Sequence, residues 1–359
     1  MREFSRRELL PLLGAGYISL GSLRAQAESN AGRARLHLTE NPSGPSPAAR
    51  AAIIAAAERA AIYPQSSGAL VEQIARYDRV TAAHVVLSSG SREALCHLTA
   101  SLGRGGQILA AQPTYPTALS YAAQQGVGMR WVALTEDHKI DLDRMLDSIG
   151  GVQAVYICNP NNPTGLLLDA DQLRRFCIAA ARKVPVIVDE AFIELAPDPE
   201  RSSMAELVAQ GHDVIVTRTF SKVYGLAGLR IGYALAPPNR AAALRSAFTT
   251  QPNEPALAAA RACLGDRTYL DAARTYLRER RSRIYRICEE NQLSYLRSEA
   301  TFVYVDAGGL ATEMQRRLAA ERVDVRIFES ERYRNWVRIG TGTSAELEML
   351  AAALPRVRL

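Results

Sequence analysis

The 359-residue sequence predicts an α/β fold, a large domain with a mainly parallel sheet followed by a small α+β domain. Three observations carry that reading. Short apolar runs of strand length alternate with helix-length runs from Pro47 onward. The helical runs are long enough to act as crossovers between parallel strands. Past Phe248 the pattern changes to a long charged helical run and then to a smaller alternating unit.

The elements follow in order. Residues 1–27 read as an address: Arg6 and Arg7 stand side by side before a mild apolar run that closes on Ala25-Gln26-Ala27, an A-x-A cleavage pattern. The segment resembles a twin-arginine export signal, and Pro11, Gly14, Gly16 and Gly21 argue against an amphipathic helix. It implies a periplasmic protein; the helical reading would leave the chain cytoplasmic. That route carries folded proteins, which suits a chain with unpaired cysteines. Residues 28–46 are expected to form an N-terminal arm. In the large domain, 47–248, strands are expected at 84–88, 107–111, 129–134, 154–158, 186–189, 214–219 and 229–235, with helices such as 92–102, 170–182 and 240–248 between them. In the small domain, 249–359, one helical run is expected over 255–292. Strands follow at 301–305, 323–328 and 336–340, with helices near 310–322 and 344–353.

Composition narrows the classes of function. The chain is 48% hydrophobic, enough for a substantial core, and its charged residues are mixed in sign. Arg2, Arg6, Arg7 and Arg24 are opposed in the first segment only by Glu3 and Glu8, so part of the formal charge of +6 leaves with that segment. The arginines of RTYLRERRSRIYRICEE read as a solvated helix face, and no nucleic-acid partner is expected. No uninterrupted apolar run of about 18 residues lies outside the extreme N-terminus, so no membrane span is expected in the mature chain. Cys96, Cys158, Cys177, Cys263 and Cys288 lack the paired spacing of a zinc site and read as buried thiols.

Four motifs fall at strand ends, where an open α/β sheet builds its site. SSGSRE, beginning at Ser88, passes through Gly90 into a helix whose first N–H groups can hold a phosphate. CNPNNPTG, beginning at Cys158, packs prolines and amides into an irregular loop presenting Asn159 to the cleft. PVIVDEAF ends a buried strand on Asp189, a carboxylate that needs a cationic or donating partner; a protonated pyridine nitrogen or an arginine would serve. TRTFSKVYGLAGLRIGY supplies Thr219, Ser221, Lys222 and Arg230 around Gly225 and Gly228.

The order and wording of these segments resemble the class I and II aminotransferases of fold type I, and within them the histidinol-phosphate aminotransferase branch. The likeness runs from LTENPSGPSP at Leu38 to VRIGTG at Val337, almost the whole mature chain. It implies pyridoxal 5'-phosphate as cofactor, with amino-acid and 2-oxo-acid substrates, 2-oxoglutarate among the acceptors. Lys222 would carry the cofactor as a Schiff base and afterwards move the proton. Asp189 would pair with the pyridine nitrogen, Asn159 would donate to the ring's phenolic oxygen and Tyr115 would stack on the ring. The phosphate would be met by Ser91, Arg92, Thr219, Ser221 and Arg230, and by Tyr63 from a second subunit of a homodimer. Arg338 would hold the substrate carboxylate, Arg326 a distal anionic group, and Asn41 lies on the substrate side.

Three positions depart from the family pattern. Phe192 stands where a tyrosine usually donates to the phenolic oxygen, Arg92 where an acid is common, and Ser43 where an aromatic usually faces the substrate. Two other readings share the same motifs: a decarboxylase resembling the threonine-phosphate enzyme, and a cofactor-binding protein without turnover. Retention of Lys222, Asp189 and Arg338 argues for live chemistry.

Overall fold

The computed structural model describes residues 32–64, 67–328 and 330–357; the expected export signal lies outside them. The first sheet has seven strands: β1 (Val85–Ser88), β2 (Gln107–Gln112), β3 (Gly128–Ala133), β4 (Ala154–Cys158), β5 (Val186–Asp189), β6 (Val214–Thr219) and β7 (Gly232–Leu235). Their spatial order is β1-β7-β6-β5-β4-β2-β3, and only β7 runs against its neighbours.

Period-two patterning explains how this sheet is buried on both sides. Val155 and Ile157 of β4 and Val186 and Val188 of β5 feed one hydrophobic core, whereas Tyr156, Cys158 and Ile187 feed the core on the opposite face. Cys158 and Asp189 are register partners at the ends of their strands, and Asp189 is likewise aligned with Thr217. The site therefore forms where β4, β5 and β6 end together.

The smaller sheet is antiparallel, in the order β10-β11-β9-β8, from β8 (Tyr295–Leu296), β9 (Phe302–Asp306), β10 (Arg326–Ile327) and β11 (Trp336–Gly340). Its core also takes in Ala34 and Leu36 of the arm. All five cysteines are free thiols, and all but the half-buried Cys96 are buried. Among the described residues no helix is long and apolar enough to cross a membrane.

Three expected elements differ from the observed ones. The run over 255–292 is two helices, Glu254–Gly265 and Arg267–Glu290, because Asp266 leaves helical geometry and its carboxylate accepts from the N–H of Tyr269, capping the second. The strand expected over 229–235 begins only at Gly232, since residues 227–229 form a 3-10 turn and Arg230 takes a left-handed conformation with φ 55°. The strand expected over 323–328 shrinks to β10, because Val323 pairs with Ala34 of the arm instead. β8, only two residues long, carries no periodicity by which to find it.

Candidate active site

The end expected to hold a phosphate is assembled by backbone as much as by side chains. Helix Ser91–Leu102 starts from Gly90 at φ 88°; the Glu93 N–H bonds back to the Gly90 carbonyl at 3.0 Å, and the N–H groups of Ser91 and Arg92 have no helical acceptor. An added Cβ on Gly90 would lie 2.3 Å from Nη2 of Arg230, so only glycine lets that guanidinium close over the helix start. Gly232 plays the matching part from β7, where a Cβ would meet the Ser91 nitrogen at 2.5 Å. Arg230 Nη1 donates to the Ser221 hydroxyl at 3.3 Å, and Thr219 donates to the same hydroxyl at 2.9 Å. Arg92 Nε donates to the Tyr115 hydroxyl at 3.3 Å, which ties the expected stacking ring to the phosphate end. Arg92 and Arg230 repel one another, and burial together with that repulsion lowers the pKa of Arg230. Two guanidiniums beside a helix start suit an anion, while the Glu93 carboxylate of the first turn is taken up by the Ser89 N–H at 2.6 Å and the Thr250 hydroxyl at 2.9 Å.

Asp189 occupies the opposite end. It is 2% exposed and accepts from Tyr156 at 3.1 Å, from the Ala191 N–H at 3.2 Å and from Thr217 at 3.5 Å. It makes no salt bridge within the described residues, and burial raises its pKa to about 6. A carboxylate kept from water with neutral donors alone fits a cationic N–H supplied by a ligand. Arg218, the next residue along β6 after the Thr217 register partner, is paired elsewhere, with Asp78 at 2.6 Å and Glu190 at 3.0 Å. Asn159 accepts from the Leu168 N–H at 2.9 Å through Oδ1, so its Nδ2 is the end left to donate.

Lys222 lies between these two ends. Its Nζ donates to the Thr39 hydroxyl at 2.5 Å and to the Thr39 carbonyl at 3.2 Å, and it sits 5.4 Å from the Phe192 ring centroid. Burial, then the charges of Arg338, Arg230 and Arg92, lower its pKa to about 8, with Asp189 opposing. A lysine in that range can lose a proton near neutrality. Phe192 is buried edge-on against Phe302, with ring centroids 5.4 Å apart.

The residues expected on the substrate side form a row across the small sheet. Arg326, Arg338 and Tyr304 are register partners on β10, β11 and β9. The Arg338 guanidinium lies over the rings of Phe302 and Phe328, at 5.1 and 5.2 Å. It donates to Asn162 Oδ1 at 2.9 Å and to the His37 carbonyl at 2.7 Å, both neutral acceptors. Its Nε and the Tyr304 hydroxyl are buried without a partner. Burial and the neighbouring Arg326 lower the Arg338 pKa to about 9. Such a guanidinium is prepared for a carboxylate that the chain does not supply.

Two expected site residues are placed differently from the rest. The Asn41 side chain is committed to its own loop, accepting from the N–H and hydroxyl of Ser43 and donating to the Val223 carbonyl at 2.8 Å; it holds the arm against the Lys222 loop. Tyr63 is 92% exposed. Sequence reasoning passed over Tyr156, Asn162, His37 and Thr39. Tyr156 was open to discovery, since it shares a strand face with Cys158, the register partner of Asp189. The arm residues carried no such signal, because their role depends on a long-range docking.

With this geometry in view, the comparisons with known proteins agree. Residues 35–354 match the model of the aminotransferase class I and II family. A histidinol-phosphate aminotransferase of Rubrobacter xylanophilus is 33% identical over 355 residues, covering 97% of this chain and 99% of the relative. One from Geobacillus thermodenitrificans is 33% identical over 318 residues, covering 87% and 86%. The crystal structure of histidinol-phosphate aminotransferase from Sinorhizobium meliloti in complex with pyridoxal-5'-phosphate is similar at a TM-score of 0.83 and 30% identity, covering 99% of this chain and 98% of that one.

Proposed function

The chain belongs to the class I and II aminotransferase family, and from that premise we propose an exported homodimer that transfers amino groups between substrates carrying two anionic groups. The enzyme is a pyridoxal-phosphate-dependent aminotransferase, moving an amino group from an amino acid to a 2-oxo acid. Pyridoxal phosphate, when bound, supplies the carbonyl that takes the amino group and the electron sink that stabilises the deprotonated α-carbon.

The residues present fit that group at both ends. Asp189, buried and without a cation of its own, would hold the ring nitrogen; Ser91, Arg92, Thr219, Ser221 and Arg230 would hold the phosphate; Asn159 Nδ2 would meet the phenolic oxygen. Lys222 carries the reacting amine, with a lowered pKa that lets it accept and return a proton at the α-carbon. Arg338 orients the substrate through its carboxylate, and the aromatic rings on either side keep water from that pair.

One observation carries the substrate reading: Arg338 and Arg326 lie directly opposite one another, and neither makes an ion pair with a described carboxylate. Two unneutralised guanidiniums on one face suit a dianion, such as the acceptor 2-oxoglutarate or a phosphorylated amino donor. The test is a half-reaction screen followed by the spectral change of the bound cofactor. Transfer confined to dianionic partners supports the reading, and equal rates with alanine and pyruvate overturn it. Release of carbon dioxide in place of an oxo acid would assign the decarboxylase chemistry.

Export rests on Arg6, Arg7 and the Ala25-Gln26-Ala27 pattern. Replacing both arginines by lysine should leave the protein in the cytoplasm; unchanged periplasmic yield would sink the proposal. The dimer rests on the exposure of Tyr63, with Ile54 and Ile62 exposed nearby at 72% and 56%. If Tyr63 serves the other subunit, mixing inactive Tyr63→Ala and Lys222→Ala proteins restores activity, because each mixed dimer contains one complete site. No recovery after subunit exchange would place Tyr63 elsewhere.

A further inference from the structure

The N-terminal arm reaches both working side chains of the site within three residues. The His37 carbonyl accepts from Arg338 at 2.7 Å, and the Thr39 carbonyl and hydroxyl accept from Lys222 at 3.2 and 2.5 Å. The arm is fixed on either side of these contacts. Gly340 donates its N–H to the Leu36 carbonyl at 2.6 Å, and Asn41 donates to the Val223 carbonyl at 2.8 Å. An added Cβ on Gly340 would stand 2.2 Å from the Leu38 carbonyl oxygen, and one on Gly225 would stand 2.2 Å from that of Gly44. Thr39 is thus held by its backbone, with its hydroxyl delivered to Nζ.

We propose that Thr39 is the proton-handling partner of Lys222, its hydroxyl accepting from the ammonium form and donating to the neutral amine. This rests on the reading of Lys222 as the reacting amine. Of the groups facing Nζ, the Thr39 hydroxyl is both a donor and an acceptor. The Thr39 carbonyl accepts only, the Phe192 ring offers its face, Asp189 attracts the charge, and Arg338, Arg230 and Arg92 repel it. Before Nζ takes a proton from the substrate carbon, the hydroxyl turns from donating to accepting and so frees the single lone pair of the amine; that pair then becomes the new N–H bond, and the electrons of the broken C–H bond stay with the substrate. The hydroxyl proton stays on Oγ1, and no bond to Thr39 forms or breaks. The hydroxyl thus accepts from an Nζ N–H on both sides of the transfer, without water having to enter.

The test separates this role from a structural one. In cofactor-free protein, competitive acetylation of Lys222 across its titration range, read by mass spectrometry, gives the lysine pKa directly. Thr39→Val, close in shape but lacking the hydroxyl, should lower that pKa by about one unit, since an acceptor for the charged form is lost. Thr39→Ala, with no methyl to misplace, should lower it similarly, and Thr39→Ser should recover most of the shift. In the loaded enzyme Thr39→Val should lower kcat by about 10- to 100-fold with little change in donor KM, and should enlarge the isotope effect of an α-deuterated donor. An unchanged Lys222 pKa in Thr39→Val and Thr39→Ala would overturn the proposal. So would a Thr39→Ser protein as impaired as Thr39→Val, which would make the side chain a packing element of the arm. The labelling needs neither cofactor nor donor, so it stands even if the assigned reaction fails.

Discussion

The Tyr156 hydroxyl donates to the Asp189 carboxylate at 3.1 Å, and both side chains are sealed from water. With the Asn159 N–H, which donates to the Asp189 carbonyl at 2.9 Å, this bond ties β4 to β5 at the site. The bond favours the ionised carboxylate against the burial that raises its pKa to about 6. Tyr156→Phe removes the donor and should push Asp189 higher, leaving less carboxylate near neutrality to hold a protonated ring nitrogen. Cofactor affinity should fall by about tenfold, the loss of one hydrogen bond to a charged group. Equilibrium dialysis should show the loss growing as pH falls from 8 to about 6; equal affinity in both proteins would remove Tyr156 from the site.

Asp189 also sets a stability prediction of unusual sign. Its pKa is raised from 3.8 unfolded to about 6 folded, so between these values the folded chain binds more protons and stability falls as pH rises. Above about pH 6 the cost is fully present, on the order of 3 kcal/mol. Asp189→Asn should therefore raise the melting temperature of the cofactor-free protein at pH 8, with the gain shrinking toward pH 4. The same substitution should abolish transamination. A cofactor-free variant less stable than wild type at pH 8 contradicts this account.

Much of this was legible in the sequence, for a physical reason. β4, β5 and β6 are buried on both faces; the apolar runs of β4 and β5 end sharply at Cys158 and Asp189, and that of β6 passes at Val216 into a buried polar end, so their bounds could be read directly. The motifs that end them carry the expected cofactor-binding groups on short local turns. What was not legible depends on contacts distant in sequence. Thr39 reaches Lys222, and His37 and Asn162 reach Arg338, only after the arm and β11 dock. The long helix misled because helical propensity continues across Asp266, whereas its side-chain cap breaks the helix there.

Phe192 makes a further prediction. Its ring is buried against Phe302 and lies under Lys222, and it replaces the tyrosine expected to donate to the cofactor's phenolic oxygen. Phe192→Tyr should lower the midpoint of the pH-dependent absorbance change of the bound cofactor by about one unit, if the new hydrogen bond contributes about 1.5 kcal/mol. An identical midpoint in the two proteins would show that the hydroxyl cannot reach that oxygen.

Beneath the site, Arg218 holds Asp78 and Glu190 in an interior network completed by the hydroxyls of Ser203 and Tyr233. Arg218→Met should cost about 3–5 kcal/mol, because two buried carboxylates lose their cation. Adding Asp78→Asn and Glu190→Gln should return part of that loss in urea unfolding. If the triple variant is no more stable than Arg218→Met alone, uncompensated charge is not the cause.

The arginine row gives the sharpest test of specificity. Arg338 is fixed by Asn162, His37 and two aromatic faces, so its planar fork meets a carboxylate without searching for a conformation. Arg338→Lys keeps a positive charge and loses the fork, and should lower kcat/KM about 100- to 1000-fold for every substrate, equivalent to about 3–4 kcal/mol. Arg326 is exposed and less constrained, so Arg326→Ala should act selectively: about 10- to 100-fold with dianionic partners and little with monoanionic ones. Removing it should also raise the Arg338 pKa, because Arg326 is among the causes that lower it. Steady-state kinetics with paired mono- and dianionic oxo acids decide the matter: a uniform loss in Arg326→Ala would move this arginine from recognition of the second anion to general support of Arg338.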